Sequence, residues 1–193
     1  MSDDSKPLIV YWSICAAIEN YNRVNLMWEP PVPVINLMID KSTKEDDYIR
    51  CFAMQKMLKN TYTVIHPSDS RVIVSSNSQI LKQEGLDAWI AQPPAMPNRL
   101  RLVYDFSWIF FAEEPVLIQQ TPPYLHNTAD RTGGALASGS YDISKWFRSL
   151  TFDYLLWEGK NEISIKKGDP AAYFSFLTER KVVLKQFELN EEL

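Results

Sequence analysis

Histidine and cysteine are scarce in this chain, with two of each in 193 residues. The histidines, His66 and His126, stand sixty positions apart with no carboxylate at ligand spacing beside either. A zinc or iron site would need assembly from distant segments, so the pair reads as structural or solvent-facing, with no metal and no cofactor expected. Cys15 and Cys51 form no C-x-x-C pattern and read as two reduced, buried thiols. No basic tract is present, and 20 basic against 24 acidic side chains give a net charge of −4. Without an electrostatic footprint for a phosphate backbone, nucleic acid is not an expected partner. The longest apolar runs, such as Trp108–Ala112, are too short to span a bilayer, so no membrane partner is expected either. The polar, acidic opening MSDDSKP has no apolar signal core behind it and implies a soluble, intracellular protein.

Catalytic patterns are missing as well. There is no G-x-S-x-G elbow, no G-x-G-x-x-G and no Walker sequence. Gly133-Gly134 is a lone pair within Thr128–Ser140, which reads as a mobile loop. Glu113-Glu114 are adjacent, so on a strand they would point to opposite faces and could not converge on one bond. No catalytic residue is assigned, and the reading leans away from an enzyme.

Alternation, by contrast, is plentiful. From Gly139 to Phe187, four strand-like runs are separated by two glycine turns. Phe152, Tyr154 and Leu156 share one parity of Thr151–Trp157, the signature of a half-buried strand. Ile163 and Ile165 follow, then Ala172, Phe174 and Phe176 on one face, then Val182–Phe187. This stretch is expected to fold as one antiparallel unit. Upstream, Pro7–Ser13 suits a central strand, while Ile14–Asn25 is ambiguous. Trp28–Pro33 is extended by its prolines. Val34–Ile39 is apolar and ends at a polar turn, Asp40–Thr43. Ser42 and Glu45 form a capping-box pattern ahead of a helix over Asp46–Lys59, with Tyr48, Cys51, Phe52 and Leu58 inward and Asn60 as its stop. Thr61–His66 and Arg71–Ser75 read as a hairpin about Pro67–Ser70, and Ile80–Gln92 as irregular strand. Arg99–Phe111 is a long strand bent near Ser107, and Val116–Gln120 another.

Short connections favour antiparallel pairing. The expectation is a mainly β protein, an antiparallel barrel or sandwich with one or two small helices. Residues 1–6 read as a tail and 7–193 as a single β-rich domain, with a sub-boundary candidate in the proline-rich 92–98.

One constellation offers binding chemistry: Tyr141-Asp142-Ile143-Ser144-Lys145-Trp146-Phe147-Arg148. Arg148 could donate a bidentate pair and Trp146 a stacking surface to a small anionic or planar ligand. The competing reading is an Asp142–Lys145 or Asp142–Arg148 ion pair, with Trp146 and Phe147 in the core. Tyr124 and His126, just after Pro122-Pro123, complete the candidate ligand-binding set of Asp142, Lys145, Trp146, Arg148, Tyr124 and His126.

The stretch Ser138–Leu177 resembles the end of the dUTPase-type β-clip, through Asp142, Arg148 and Lys167-Gly168-Asp169 followed by Ala172-Tyr173-Phe174. That resemblance implies a β-clip-like C-terminal part and a nucleotide- or small-ligand-binding alternative with hydrolase activity. Arg148 comes two residues later than in the family pattern and precedes Ser149, and the family's phosphate-binding serine motif has no counterpart. Ile9-Val10-Tyr11-Trp12-Ser13, Cys51-Phe52-Ala53, Lys59-Asn60-Thr61-Tyr62 and Asp142–Arg148 resemble proteins of tailed phages, particularly those infecting marine cyanobacteria. This second resemblance implies a viral protein made in the cytoplasm of an infected cell, inside or outside the virion, and carries no activity with it. The expectation is a non-enzymatic binding or assembly module that self-associates or docks on a protein partner.

Overall fold

The computed structural model describes residues 6–15, 28–41, 50–91, 100–126 and 132–188. The ambiguous 16–25, the capping box at 42–45, Tyr48, the candidate boundary 92–98 and residues 127–131 lie outside them, as does nearly all of the expected 1–6 tail. So do the side chains of 39–41 within their helix and of 105–107 within their strand.

The described chain is mainly β, with two short helices, and its curled sheets form a half-barrel. The first sheet is built on β1 (Leu8–Cys15), β7 (Arg101–Phe111) and β11 (Ser149–Leu156). Its edges are β14 (Val182–Gln186), β9 (Gly134–Leu136) and β6 (Ala88–Ala91). The second sheet runs β10 (Gly139–Asp142), β8 (Leu117–Thr121), β13 (Pro170–Phe176), β3 (Thr61–Ile65), β2 (Val32–Pro33). The third runs β12 (Glu162–Ile165), β4 (Ser70–Val74), β5 (Ile80–Glu84). Helices α1 (Val34–Lys41) and α2 (Phe52–Leu58) follow β2.

Two expectations about pairing fail for one reason. Strands β3 and β4 do not form a hairpin, and β11 to β14 are not one antiparallel unit; neighbours in sequence belong to different sheets. Instead β3 pairs with β13 while β4 pairs with β12, so 61–74 and 162–176 make one antiparallel ribbon bent through a corner. At that bend the His66 N–H donates to the Asp169 carbonyl at 2.9 Å, and Gly168 N–H donates to the His66 carbonyl at 3.0 Å. Turn-forming residues at 67–69 and 167–169 mark the corner without saying whether each strand folds back or carries on. Strands β1 and β14, far apart in sequence, pair in parallel, against the antiparallel expectation.

Alternation did identify the core. Leu8, Val10, Trp12 and Ile14 of β1 are buried, as are Leu150, Phe152, Tyr154 and Leu156 of β11. They meet Val64, Ile118 and Phe174 of the second sheet and Val72 and Ile163 of the third in one cluster. The bend expected in β7 is present, as the β11 register shifts between Thr151↔Ser107 and Asp153↔Val103. Strand β13 is buried on both faces, because Tyr173 packs with Val34, Met54 and Leu58 beneath the helices.

The helices depart from expectation. Helix α1 runs on through Asp40-Lys41, where a turn was expected. Helix α2 buries Met54 and Leu58, an i, i+4 pair on one face, while Phe52 is 79% exposed and Cys51 is exposed at the N-cap. A helix this short shows one such pair only, and the reading from Phe52 chose the wrong side. Asn60 does stop it: φ is 57°, and the side chain donates to the Thr178 and Arg180 carbonyls while accepting from Val182 N–H. The expected loop over 128–140 holds β9 and β10 instead. A Cβ on Gly134 would lie 2.6 Å from the Leu155 carbonyl oxygen, so this glycine permits close strand pairing rather than motion.

Candidate functional site

The fold divides the six expected ligand-contacting residues between two places. Asp142 ends β10 and starts a turn. Its Oδ1 accepts from the Ser144 hydroxyl at 2.7 Å and the Ser144 N–H at 3.1 Å, and Lys145 Nζ sits 3.0 Å from Oδ2. The Ser144 hydroxyl first, then Lys145, hold this carboxyl below its ordinary range. A carboxylate engaged this way is a turn-former, as the ion-pair reading expected. That reading also placed Trp146 and Phe147 in the core, and there it is corrected: each is 43% exposed. Arg148 stacks on the Trp146 ring at 4.8 Å, and Trp146 tilts against Tyr141. The turn leaves these rings outside because Ile143 takes the buried position between them and β10.

Phe147 belongs to an aromatic face on the outside of the first sheet. It meets Phe111 edge-on at 5.6 Å and Phe187 at 6.4 Å. Phe111 in turn stacks on Tyr11 at 4.8 Å, its directly paired neighbour in the β1–β7 ladder. Parity places Tyr11 and Phe111 on the side opposite Trp12 and Phe110, which point into the core. The face is continuous across β1, β7, Phe187 just past the end of β14 and the turn after β10, and is flanked by the Trp146–Arg148 stack.

Tyr124 and His126 lie elsewhere, at a cavity of about 470 Å³ between the ribbon corner and the first sheet. Its lining brings together both histidines of the chain, with Tyr154, Trp157, Thr132 and Asp169. His126 Nδ1 is hydrogen-bonded to the Tyr173 hydroxyl, and Tyr173 packs edge-on against Tyr124. His66 is 1% exposed, with Trp28 5.6 Å away. Burial pushes its imidazole down to about 3 from 6.5, so it is neutral at physiological pH. Burial also raises the Tyr154 hydroxyl, helped by Tyr104 and Asp169. A second, more open groove of about 730 Å³ runs past Lys56, Gln119, Tyr124 and Glu179. Neither Asp142 nor Arg148 lines either space. Among the described residues, no three His, Cys, Asp or Glu side chains come together at metal-binding spacing, and no helix is long and apolar enough to cross a membrane.

Sequence reasoning missed His66. Its only signal was position, directly after a strand and before a proline turn, the place where a bent ribbon turns a side chain inward. No protein-family model matches the chain, and no curated protein matches it.

Proposed function

We propose that this chain is a non-enzymatic binding and assembly module that works through the outer aromatic face of its first sheet, with a second copy of the chain as the partner. One observation carries the reading: Tyr11, Phe111, Phe147 and Phe187 form a continuous ring cluster on the side of the sheet away from the core. Phe147 is 43% exposed and the other three rings are half-buried around it; aromatics gathered at a surface are the compositional mark of an interface, whereas single exposed apolar residues are ordinary. The Arg148–Trp146 stack supplies the cationic and aromatic rim that interfaces favour.

The β-clip alternative would need a pocket built on Asp142 and Arg148. The Asp142 carboxylate is occupied by Ser144 and Lys145, and Arg148 is turned onto Trp146, so hydrolysis has no support from this geometry. The resemblance to tailed-phage proteins gives the proposal a setting, an assembly acting in an infected cell; recovery of the chain from purified virions would place it in the particle.

The test is solution mass by light scattering across a concentration series, for the wild type and for Phe147→Glu. The wild type should rise above the 22.3 kDa monomer with concentration, and the variant should stay monomeric. A wild type that remains monomeric throughout overturns self-assembly.

A further inference from the structure

The cavity at the ribbon corner is independent of the aromatic face and asks for an occupant of its own. At about 470 Å³ it falls within the size range of small-molecule sites. Tyr124 and Trp157 give it flat aromatic wall, suited to a planar ring. His66 gives it a polar floor. Neither ring nitrogen of His66 meets a hydrogen-bond partner among the described residues, although the residue is almost completely buried. A buried imidazole in that position is costly, and a group that bonds to it recovers the cost. A neutral imidazole donates from one nitrogen and accepts at the other, and the two point in diverging directions, so a ligand meets one of them, and a group that carries both a donor and an acceptor can serve whichever it reaches. The low polarity that keeps His66 neutral acts equally on a ligand: a full charge brought beside it would lose its hydration without a compensating counter-charge from His66.

We propose that this cavity binds a small, planar, uncharged ligand with a carboxamide-like pairing of N–H donor and carbonyl acceptor, recognised by the His66 imidazole. Tyr154 and Asp169 lie on the same lining, the Asp169 carboxylate being engaged by the Lys166 N–H at 3.1 Å, while His126, tied to Tyr173, borders the site beside Tyr124.

Three probes of one shape separate the charge classes: benzamide, neutral; benzoate, anionic; benzamidine, cationic. With only two histidines in the chain, long-range ¹⁵N spectra of the full chain report two imidazoles, told apart with a His126→Gln variant. Benzamide should shift the His66 ring nitrogens saturably and bind about tenfold or more tighter than either charged analogue, reflecting the desolvation of the charge. His66→Phe, which keeps an aromatic ring but removes both nitrogens, should abolish benzamide binding; His66→Gln, which keeps a donor and an acceptor, should retain it. Absence of a benzamide response at His66, a response at His126 alone, or equal binding of benzoate or benzamidine overturns the proposal. If His66→Phe does not fold, the wild-type His66 shift and the ranking of the three probes still decide it.

Discussion

The two faces of the first sheet are made of the same kinds of residue and put to different use. Inward, Trp12, Trp108, Phe110 and Phe152 are within 3% of full burial and pack against each other and against Phe174. Outward, Tyr11, Phe111, Phe147 and Phe187 contact one another as closely, but Phe147 is 43% exposed and the other three are only half-buried, where the inner rings are sealed. Ring contacts on the inside hold the fold; the same contacts on the outside build a surface. The difference is in what covers the rings, and substitutions on the two sides should separate stability from assembly.

The largest effect is expected inside. Phe152→Ala or Phe174→Ala should cost about 3–5 kcal/mol, the usual range for truncating a large core aromatic, read by denaturant unfolding. A loss below about 1 kcal/mol at both positions would mean that the inner face does not hold the sheets together.

A second inner group makes the core sensitive to acid. The His66 imidazole is held near 3 in the folded chain against an ordinary 6.5, so between those values the unfolded state binds the extra proton. Its contribution to stability is therefore full above about pH 6.5 and falls as the pH drops, by up to ~1.4 kcal/mol per unit, toward the folded value. Unfolding measured from pH 7 to 4 should show this slope, and His66→Gln should flatten it. An equal slope in the variant would assign the acid sensitivity to other groups.

Outside, Phe147→Ser should change stability by about 1 kcal/mol or less while removing the concentration-dependent mass. If it destabilised the chain as strongly as Phe152→Ala, the outer rings would be part of the core and the contrast would collapse. No change at all is expected for pyrophosphate release from deoxynucleoside triphosphates with magnesium: wild type and Asp142→Asn should both remain at background. Turnover that vanishes in the variant would restore the hydrolase alternative.

What was legible in the sequence was local. The parity of Phe152, Tyr154 and Leu156 identified the buried side of β11, the loss of alternation after Ser107 marked the irregularity in β7, and Asn60 marked the helix end. Partnership between strands was not legible, because the residues at 67–69 and 167–169 suit a hairpin and a bent ribbon equally. The candidate site suffered from the same blindness. Asp142, Lys145, Trp146 and Arg148 stood out because they are close in sequence, yet two of them satisfy each other at a turn. His66 and His126, dismissed for their separation, share a cavity because the corner beside Asp169 and the segment after Pro122-Pro123 are brought together only by the sheets. The outer aromatic face escaped for the same reason, since Tyr11, Phe111, Phe147 and Phe187 come from four separate segments.

The most direct test of the central claim asks whether the outer rings are covered when the protein is concentrated. Phenylalanine ring signals can be followed in the presence of a soluble paramagnetic agent, with two internal references: Phe152, fully buried, and Phe52, 79% exposed. In dilute solution Phe147 and Phe187 should relax faster than Phe152. On concentration they should approach Phe152, while Phe52 stays fast. If Phe147 and Phe187 remain as accessible at high concentration as at low, the outer face is not where copies of this chain meet.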